Sequence, residues 1–125
     1  MSKYLMIAAG GALGALARFW VAVYVGQRLG TRWPYGTFIV NLSGSFLVGL
    51  AMTVLTENTQ LSPNWRYLLP IGFIGAYTTF STFEYETLRA LQDGQWLGGA
   101  ANIVLSVFAG FMMVWLGVVL GKALA

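Results

Sequence analysis

The stretch FIGAYTTFSTFEYE (residues 73–86) crowds hydroxyl side chains into five consecutive positions, with aromatic rings among them. The hydroxyls belong to Thr78, Thr79, Ser81 and Thr82. Phe80 and Phe83 stand three residues apart and so share one helical face. Hydroxyls donate hydrogen bonds, and the edge of an aromatic ring is the positive end of its quadrupole, so both groups can meet an anion. Two phenylalanines alone more often form core packing, but the surrounding hydroxyls favour the anion role.

Gly72 and Gly75 stand just before these hydroxyls. Glycine and β-branched threonine both lower helix propensity, so residues 72–82 are a poor candidate for an unbroken helix that faces lipid. Irregular backbone at membrane depth is tolerated only where protein or a water-filled cavity covers it. Freed carbonyls in such a break can hold a cation, while the hydroxyls beyond it offer donors to an anion.

The composition is that of an integral membrane protein, since 58% of the 125 residues are hydrophobic and only 9% are charged. Apolar blocks of about 20 residues or more predict four transmembrane helices. We therefore expect an all-α membrane protein with one transmembrane domain over residues 1–125, its third helix broken near mid-membrane. A cleaved signal peptide does not fit the first block, which is too long and contains Arg18. The approximate spans are 4–25, 34–56, 66–91 and 95–121.

Several kinds of chemistry are excluded by composition. Cysteine and histidine are both absent, which removes thiol nucleophiles, disulfides, imidazole bases and most transition-metal sites. The chain has no glycine-rich phosphate loop with its lysine. An enzyme is therefore not expected. The net charge of +3 is small and dispersed, so no nucleic-acid partner is expected either.

The positive charges are balanced across the predicted topology, although they normally concentrate on one side. On one side lie Lys3, Arg66 and Lys122. On the other side lie Arg28, Arg32 and Arg89. Weak sampling in a small chain is one explanation. The favoured explanation is insertion in both orientations, with two opposed copies forming an antiparallel homodimer, because four short spans cannot easily enclose a hydrophilic path alone.

Polar side chains recur every four residues on two spans and so share one face of each helix. In the second span these are Thr37, Asn41 and Ser45. In the fourth span the repeat is Gly98, Asn102, Ser106 and Gly110. An asparagine amide within a membrane needs a partner, which is either another helix or a permeant species. The permeant species is the favoured interpretation.

The first span contains a glycine pair and a charge on the same face. Gly10 and Gly14 form a GxxxG pair, for which helix packing is the expected role. Arg18 continues that face four residues later. A charge at mid-membrane costs about 2.5–3.5 kcal/mol. We therefore expect Arg18 to face protein or water, near a vestibule.

Three segments resemble the Fluc (CrcB) family of fluoride channels, and the resemblance extends over essentially the whole chain. They are GGALGALARF (10–19), GTFIVNLSGSFLVG (36–49) and GAYTTFSTFEYE (75–86). The resemblance implies a multi-pass protein of the bacterial inner membrane that exports fluoride to relieve its toxicity. It also implies a dual-topology antiparallel homodimer with two fluoride pathways and one central structural sodium ion. No other protein partner is expected.

The resemblance also implies roles for individual residues. Sodium would bind the backbone carbonyls of Gly75 and Thr78 from both subunits. Phe80 and Phe83 would line each pathway, with Asn41 as an amide donor. Asn102 stands where many relatives are expected to have a tyrosine. The other expected pathway residues are Thr37, Ser81, Thr82, Glu86, Asn102 and Ser106, with Arg18 near the aqueous vestibule.

Two other functions compete with the fluoride channel. A small four-helix, dual-topology multidrug exporter needs a membrane-embedded acid in its first span, where this chain has Arg18 and no acid. Glu84 and Glu86 are near the end of the third span instead. A non-transporting assembly subunit would explain the small residues on the helix faces. It gives no reason for the cluster of threonine, serine and phenylalanine.

Overall fold

The structure is a computed structural model that describes residues 2–125, and its regular elements are helical throughout that range. In chain order they are α1 (Ser2–Leu29), α2 (Tyr35–Glu57), a π-helix (Tyr67–Ile74), α3 (Gly75–Tyr77), α4 (Phe80–Gln92) and α5 (Trp96–Leu124). Three of these, α1, α2 and α5, are long and apolar enough to cross a membrane. The prediction of an all-α fold is therefore confirmed, with three candidate membrane spans.

Glycines with left-handed backbone follow two of the helices. Gly30 has a φ of 85° and comes directly after α1, and Gly94 has a φ of 81° just beyond α4. The Gly30 N–H donates to the Gly26 carbonyl at 2.8 Å, which satisfies a carbonyl of the last turn. Glycine is favoured in this conformation because it has no Cβ to clash.

The π-helix Tyr67–Ile74 contains a proline, Pro70. In an α-helix the proline ring would clash with the carbonyl four residues earlier, and the missing N–H would leave that carbonyl without its donor. Bonds of a π-helix run five residues back, so the carbonyl of Arg66 is not held against the ring. The wide turn is therefore a local consequence of Pro70.

The helices pack through glycines that let backbones approach closely. A methyl group at Gly10 would overlap the Leu68 carbonyl, and one at Gly14 would overlap the Phe73 carbonyl. The GxxxG pair of α1 thus packs directly on the π-helix. On the other side of the molecule α2 and α5 form a second close pair, in which Gly49 faces the Val114 carbonyl. Small residues at helix contacts are the usual means of association in lipid.

Large apolar side chains cover the outer surface of the single chain. Leu16 and Phe19 on α1 and Phe108 and Phe111 on α5 are all more than half exposed. In water this surface would favour aggregation, whereas in a bilayer the lipid tails solvate it. The interior is correspondingly small, and its polar groups must find partners within it.

The packing of α1 on the π-helix gives the first prediction. Gly14→Ala should lower the free energy of unfolding in detergent by about 1–3 kcal/mol, because the new methyl overlaps backbone that cannot rotate away. Gly11→Ala is the matched control, since its methyl would meet the Gly72 carbonyl at an ordinary 3.8 Å. Both should be measured by thermal unfolding. Equal melting temperatures for the two variants would contradict this account of the interface.

Candidate functional site

Two extended residues separate α3 from α4. Thr78 has φ −84° and ψ 156°, and Thr79 has φ −147° and ψ 119°. The side-chain amide of Asn41, on α2, bonds both polar groups of the Thr79 backbone. The Thr79 N–H donates to Asn41 Oδ1 at 2.8 Å, and Asn41 Nδ2 donates to the Thr79 carbonyl at 2.9 Å. Asn41 thus replaces the backbone partners that Thr79 lacks.

The side chain of Thr79 begins the next helix. Its Oγ1 accepts a hydrogen bond from the Thr82 N–H at 3.2 Å, the arrangement of an N-cap. Phe80 and Phe83 follow in the first turn of α4, with ring centroids 5.9 Å apart. Phe80 is 74% exposed, whereas Phe83 is 7% exposed. One ring is therefore packed, and the other faces outward.

The same interruption changes the surroundings of two carbonyls. In a continuous helix the N–H groups of Thr79 and Thr82 would donate to the carbonyls of Gly75 and Thr78. Here Asn41 Oδ1 and Thr79 Oγ1 take those donors instead. Gly75 and Thr78 line the same cavity. Their oxygens are consequently released from helical pairing at a cavity wall.

This first cavity has a volume of about 390 Å³ and lies between α2, the interruption and α5. Its walls are mainly apolar, with amide, hydroxyl and carbonyl groups at a few points. The predicted site residues that line it are Asn41, Gly75, Thr78, Phe80, Phe83 and Ser106. Six of the predicted positions therefore meet at one place in the fold.

A second cavity of about 210 Å³ lies against α1. Arg18 lines it together with three threonines, Thr37, Thr79 and Thr82. Arg18 Nε donates to the Ala76 carbonyl at 3.1 Å, so the charged side chain faces protein as its position in the span requires. One positive charge and three hydroxyls thus surround the same space.

Two further cavities lie toward the ends of α1 and α4. They have volumes of about 110 and 290 Å³, and Glu86 lines both. Arg32 and Arg89 line the outer one. The Oε1 atom of Glu86 is buried and has no hydrogen-bond partner among residues 2–125.

Successive cavities share polar residues at their boundaries. Thr79 lines the first and second cavities, Thr37 the second and third, and Glu86 the third and fourth. The four spaces are thus neighbours that share lining residues, from the interruption to Arg32 and Arg89, and we refer to them as a series. The shared residues at these junctions are Thr79, Thr37 and Glu86, whose side chains can all form hydrogen bonds.

Two predicted pathway residues lie outside this series. Ser81 is exposed and lines none of the four cavities. Asn102 is 2% exposed and lies between α4 and α5. Its Nδ2 donates to Thr87 Oγ1 at 2.9 Å, and its Oδ1 accepts from Ser106 Oγ at 3.1 Å. The amide that was expected to meet an ion is thus bonded to side chains of this chain.

Two further threonines have structural roles that the sequence did not assign to them, Thr79 at the site and Thr87 outside the cavities as a partner of Asn102. Thr79 borders two cavities and caps α4, and threonine is a residue type that N-caps prefer. Thr87 is 6% exposed and binds Asn102. No local pattern distinguishes Thr87 from a threonine that bonds only its own helix.

The model for CrcB-like proteins, described as Camphor Resistance (CrcB), matches residues 5–118. The chain belongs to the CrcB family. A family member from Acidobacterium capsulatum is 59% identical over 120 residues, which cover 96% of each chain. Members from Solibacter usitatus and Geotalea uraniireducens are 49% and 45% identical, over 96% and 99% of this chain and 98% and 100% of theirs. All three are named fluoride-specific ion channel FluC. The resemblance inferred from the sequence is therefore confirmed.

Proposed function

We propose that this chain is a fluoride-selective channel of the bacterial inner membrane, which exports fluoride and is not an enzyme. The observation that carries the proposal is the series of four cavities with a polar side chain at each junction. The names of the relatives in the CrcB family agree with fluoride as the ion.

The chemistry of the cavity walls suits a small, strongly hydrated anion. A pore for such an ion must replace water with many donors, and each donor must be weak enough to let the ion leave. Hydroxyls of the threonines, the second N–H of the Asn41 amide and the exposed edge of Phe80 meet that requirement. Arg18 lies in the second cavity, and its bond to the Ala76 carbonyl keeps its position fixed. It would attract anions without blocking the first cavity.

The working unit in this proposal is an antiparallel homodimer with two pathways. The balanced lysines and arginines support insertion in both orientations. Residues 66–91 would then cross the bilayer as a third span, interrupted near mid-membrane. Gly75 is exposed, and a methyl there would meet only the Pro70 carbonyl, at 3.5 Å. A methyl group at this position therefore meets no close contact within the chain, and in the proposed dimer a closer contact would come from the second subunit.

A central sodium ion is the second part of the proposal. The carbonyl oxygens of Gly75 and Thr78 have lost their helical donors at the cavity wall, which suits oxygen ligands of a hard cation. The two-fold axis would duplicate them into four ligands from the two subunits. The bound cation would supply a positive charge that stabilises an anion passing nearby in a medium of low dielectric constant.

Fluoride flux through liposomes tests the pathway. Asn41→Asp removes the N–H that holds the Thr79 carbonyl and adds a negative charge at the first cavity, and Phe80→Ile removes the ring edge. Each should lower fluoride efflux at least about tenfold, the effect of 1.4 kcal/mol. Phe108→Ile is the matched control, because Phe108 is also exposed, on the outer face of α5. Wild-type protein should not pass chloride, and full flux in both variants would remove these residues from the pathway.

The orientation of the chain can be measured directly because cysteine is absent. A single cysteine introduced by Ala125→Cys should be labelled from outside the cell membrane, by a thiol reagent that cannot cross it, in about half of the chains. The other half should be labelled only after the membrane is made permeable. Labelling from one face alone would contradict insertion in both orientations.

Removal of sodium tests the central ion. Replacing sodium by a large organic cation on both sides should abolish fluoride flux or weaken the dimer, slowly if the ion is buried. Thr78→Ser should behave as wild type, because the proposed ligand is a backbone oxygen. Gly75→Leu should lower both the amount of bound sodium and the fluoride flux. Undiminished flux after measured loss of bound sodium would refute a structural role for the ion.

A further inference from the structure

A buried chain of three side-chain hydrogen bonds connects α5 to α4. Ser106 Oγ donates to Asn102 Oδ1 at 3.1 Å, and Asn102 Nδ2 donates to Thr87 Oγ1 at 2.9 Å. Thr87 Oγ1 in turn donates to the Phe83 carbonyl at 2.8 Å. The chain thus begins at a residue of the first cavity and ends on the backbone of a phenylalanine that lines the same cavity.

The direction of every bond in this chain follows from its last acceptor. A carbonyl oxygen can only accept, so the single hydroxyl proton of Thr87 goes to Phe83. The Thr87 oxygen must then accept from Asn102, whose amide therefore turns its nitrogen toward Thr87. The amide oxygen is left facing Ser106, which must donate. One backbone carbonyl thus determines where the Ser106 proton points.

The position of Asn102 is incompatible with direct contact to an ion in the cavities. It is 2% exposed, lines none of the four cavities, and has its amide oxygen and nitrogen bonded to neighbouring side chains. An ion could reach it only by separating α4 from α5. Its contacts instead reach two residues that do line the first cavity, Ser106 directly and Phe83 through Thr87.

We infer that Asn102 is a positioning residue, which holds the turn of α4 that carries Phe83 and directs the Ser106 hydroxyl proton away from the first cavity. This inference rests on the proposed anion pathway. With the proton committed to Asn102, the Ser106 oxygen presents lone pairs to the cavity. An anion gains this donor only when the hydroxyl turns, which leaves the buried Asn102 oxygen without its partner. This chain of hydrogen bonds from Ser106 to Phe83, the relay, therefore weakens the binding of a passing anion by Ser106.

The test uses two substitutions, each of which changes a single group of Thr87. Thr87→Val keeps the shape but removes the hydroxyl, so Asn102 loses its acceptor and the Phe83 carbonyl loses its side-chain donor. Thr87→Ser keeps the hydroxyl and removes only a methyl. Fluoride efflux should fall about tenfold in Thr87→Val and stay near wild type in Thr87→Ser, the difference expected for a buried amide left unpaired. Equal flux in the two variants would overturn the inference.

Nitrogen-15 resonances of side-chain amides give a readout that does not depend on flux. The Asn102 amide resonance should shift in Thr87→Val and stay in place in Thr87→Ser. In the wild type, added sodium fluoride should shift the Asn41 amide and leave the Asn102 amide unchanged, with sodium chloride as control. A fluoride-dependent shift of Asn102 would mean that the ion reaches the amide or turns the Ser106 hydroxyl toward itself, and would overturn the inference, even if Thr87→Val failed to fold.

These measurements separate the inference from the function on which it rests. Absence of fluoride flux and of any Asn41 shift in the wild type would refute the proposed pathway. The response of the Asn102 resonance to the two Thr87 variants would still decide whether the relay exists. A normal Asn41 response together with an Asn102 resonance that ignores Thr87→Val would refute the relay alone.

Discussion

The pairing of the Asn41 amide with the backbone of Thr79 is the interaction on which the rest of the site depends. Extended residues inside a membrane protein must satisfy their N–H and carbonyl groups internally, because lipid offers no partners. Asn41 does this with two bonds of 2.8 and 2.9 Å from a neighbouring helix. Without the Asn41 amide, a helix that continues through Thr79 would have the lower free energy. The Gly75 carbonyl would then regain its donor and Phe80 would point elsewhere.

Close packing holds the interruption where Asn41 can reach it. Gly10 and Gly14 bring α1 against the backbone of the π-helix. Gly44, one turn beyond Asn41 on α2, faces the side chains of Tyr77 and Thr78, with no room for a Cβ atom. The Tyr77 hydroxyl also lies 2.9 Å from Ser43 Oγ. Contacts on both sides of the interruption therefore fix its distance from α2, and an amide of fixed length can bridge the gap.

The long helices could be predicted from the sequence because apolar blocks of membrane length have few alternative structures. The low helix propensity of glycine and threonine over residues 72–82 favoured an interruption of the third span there. The partners of the two asparagines could not be predicted in this way. Asn41 binds a residue 38 positions away and Asn102 one 15 positions away, so the choice between an ion and another helix depends on distances that only the folded chain defines. Helical periodicity predicted contact with a permeant ion for both asparagines. Their burial differs, since Asn102 is 2% exposed and Asn41 lines the first cavity. The π-helix was also unpredictable, since Pro70 indicates a disturbed helix without saying which kind.

The pairing of helices sets an order for biosynthesis. α1 packs mainly on the π-helix and α2 mainly on α5, so neither of the first two helices to leave the ribosome has its principal neighbour when it enters the bilayer. Asn41 likewise is synthesised before its partner Thr79. A nascent chain that stops before α5 therefore presents the glycine face of α2 around Gly49 to the lipid. Completion of the last helix covers this face, when the Val114 carbonyl of α5 comes to lie against Gly49.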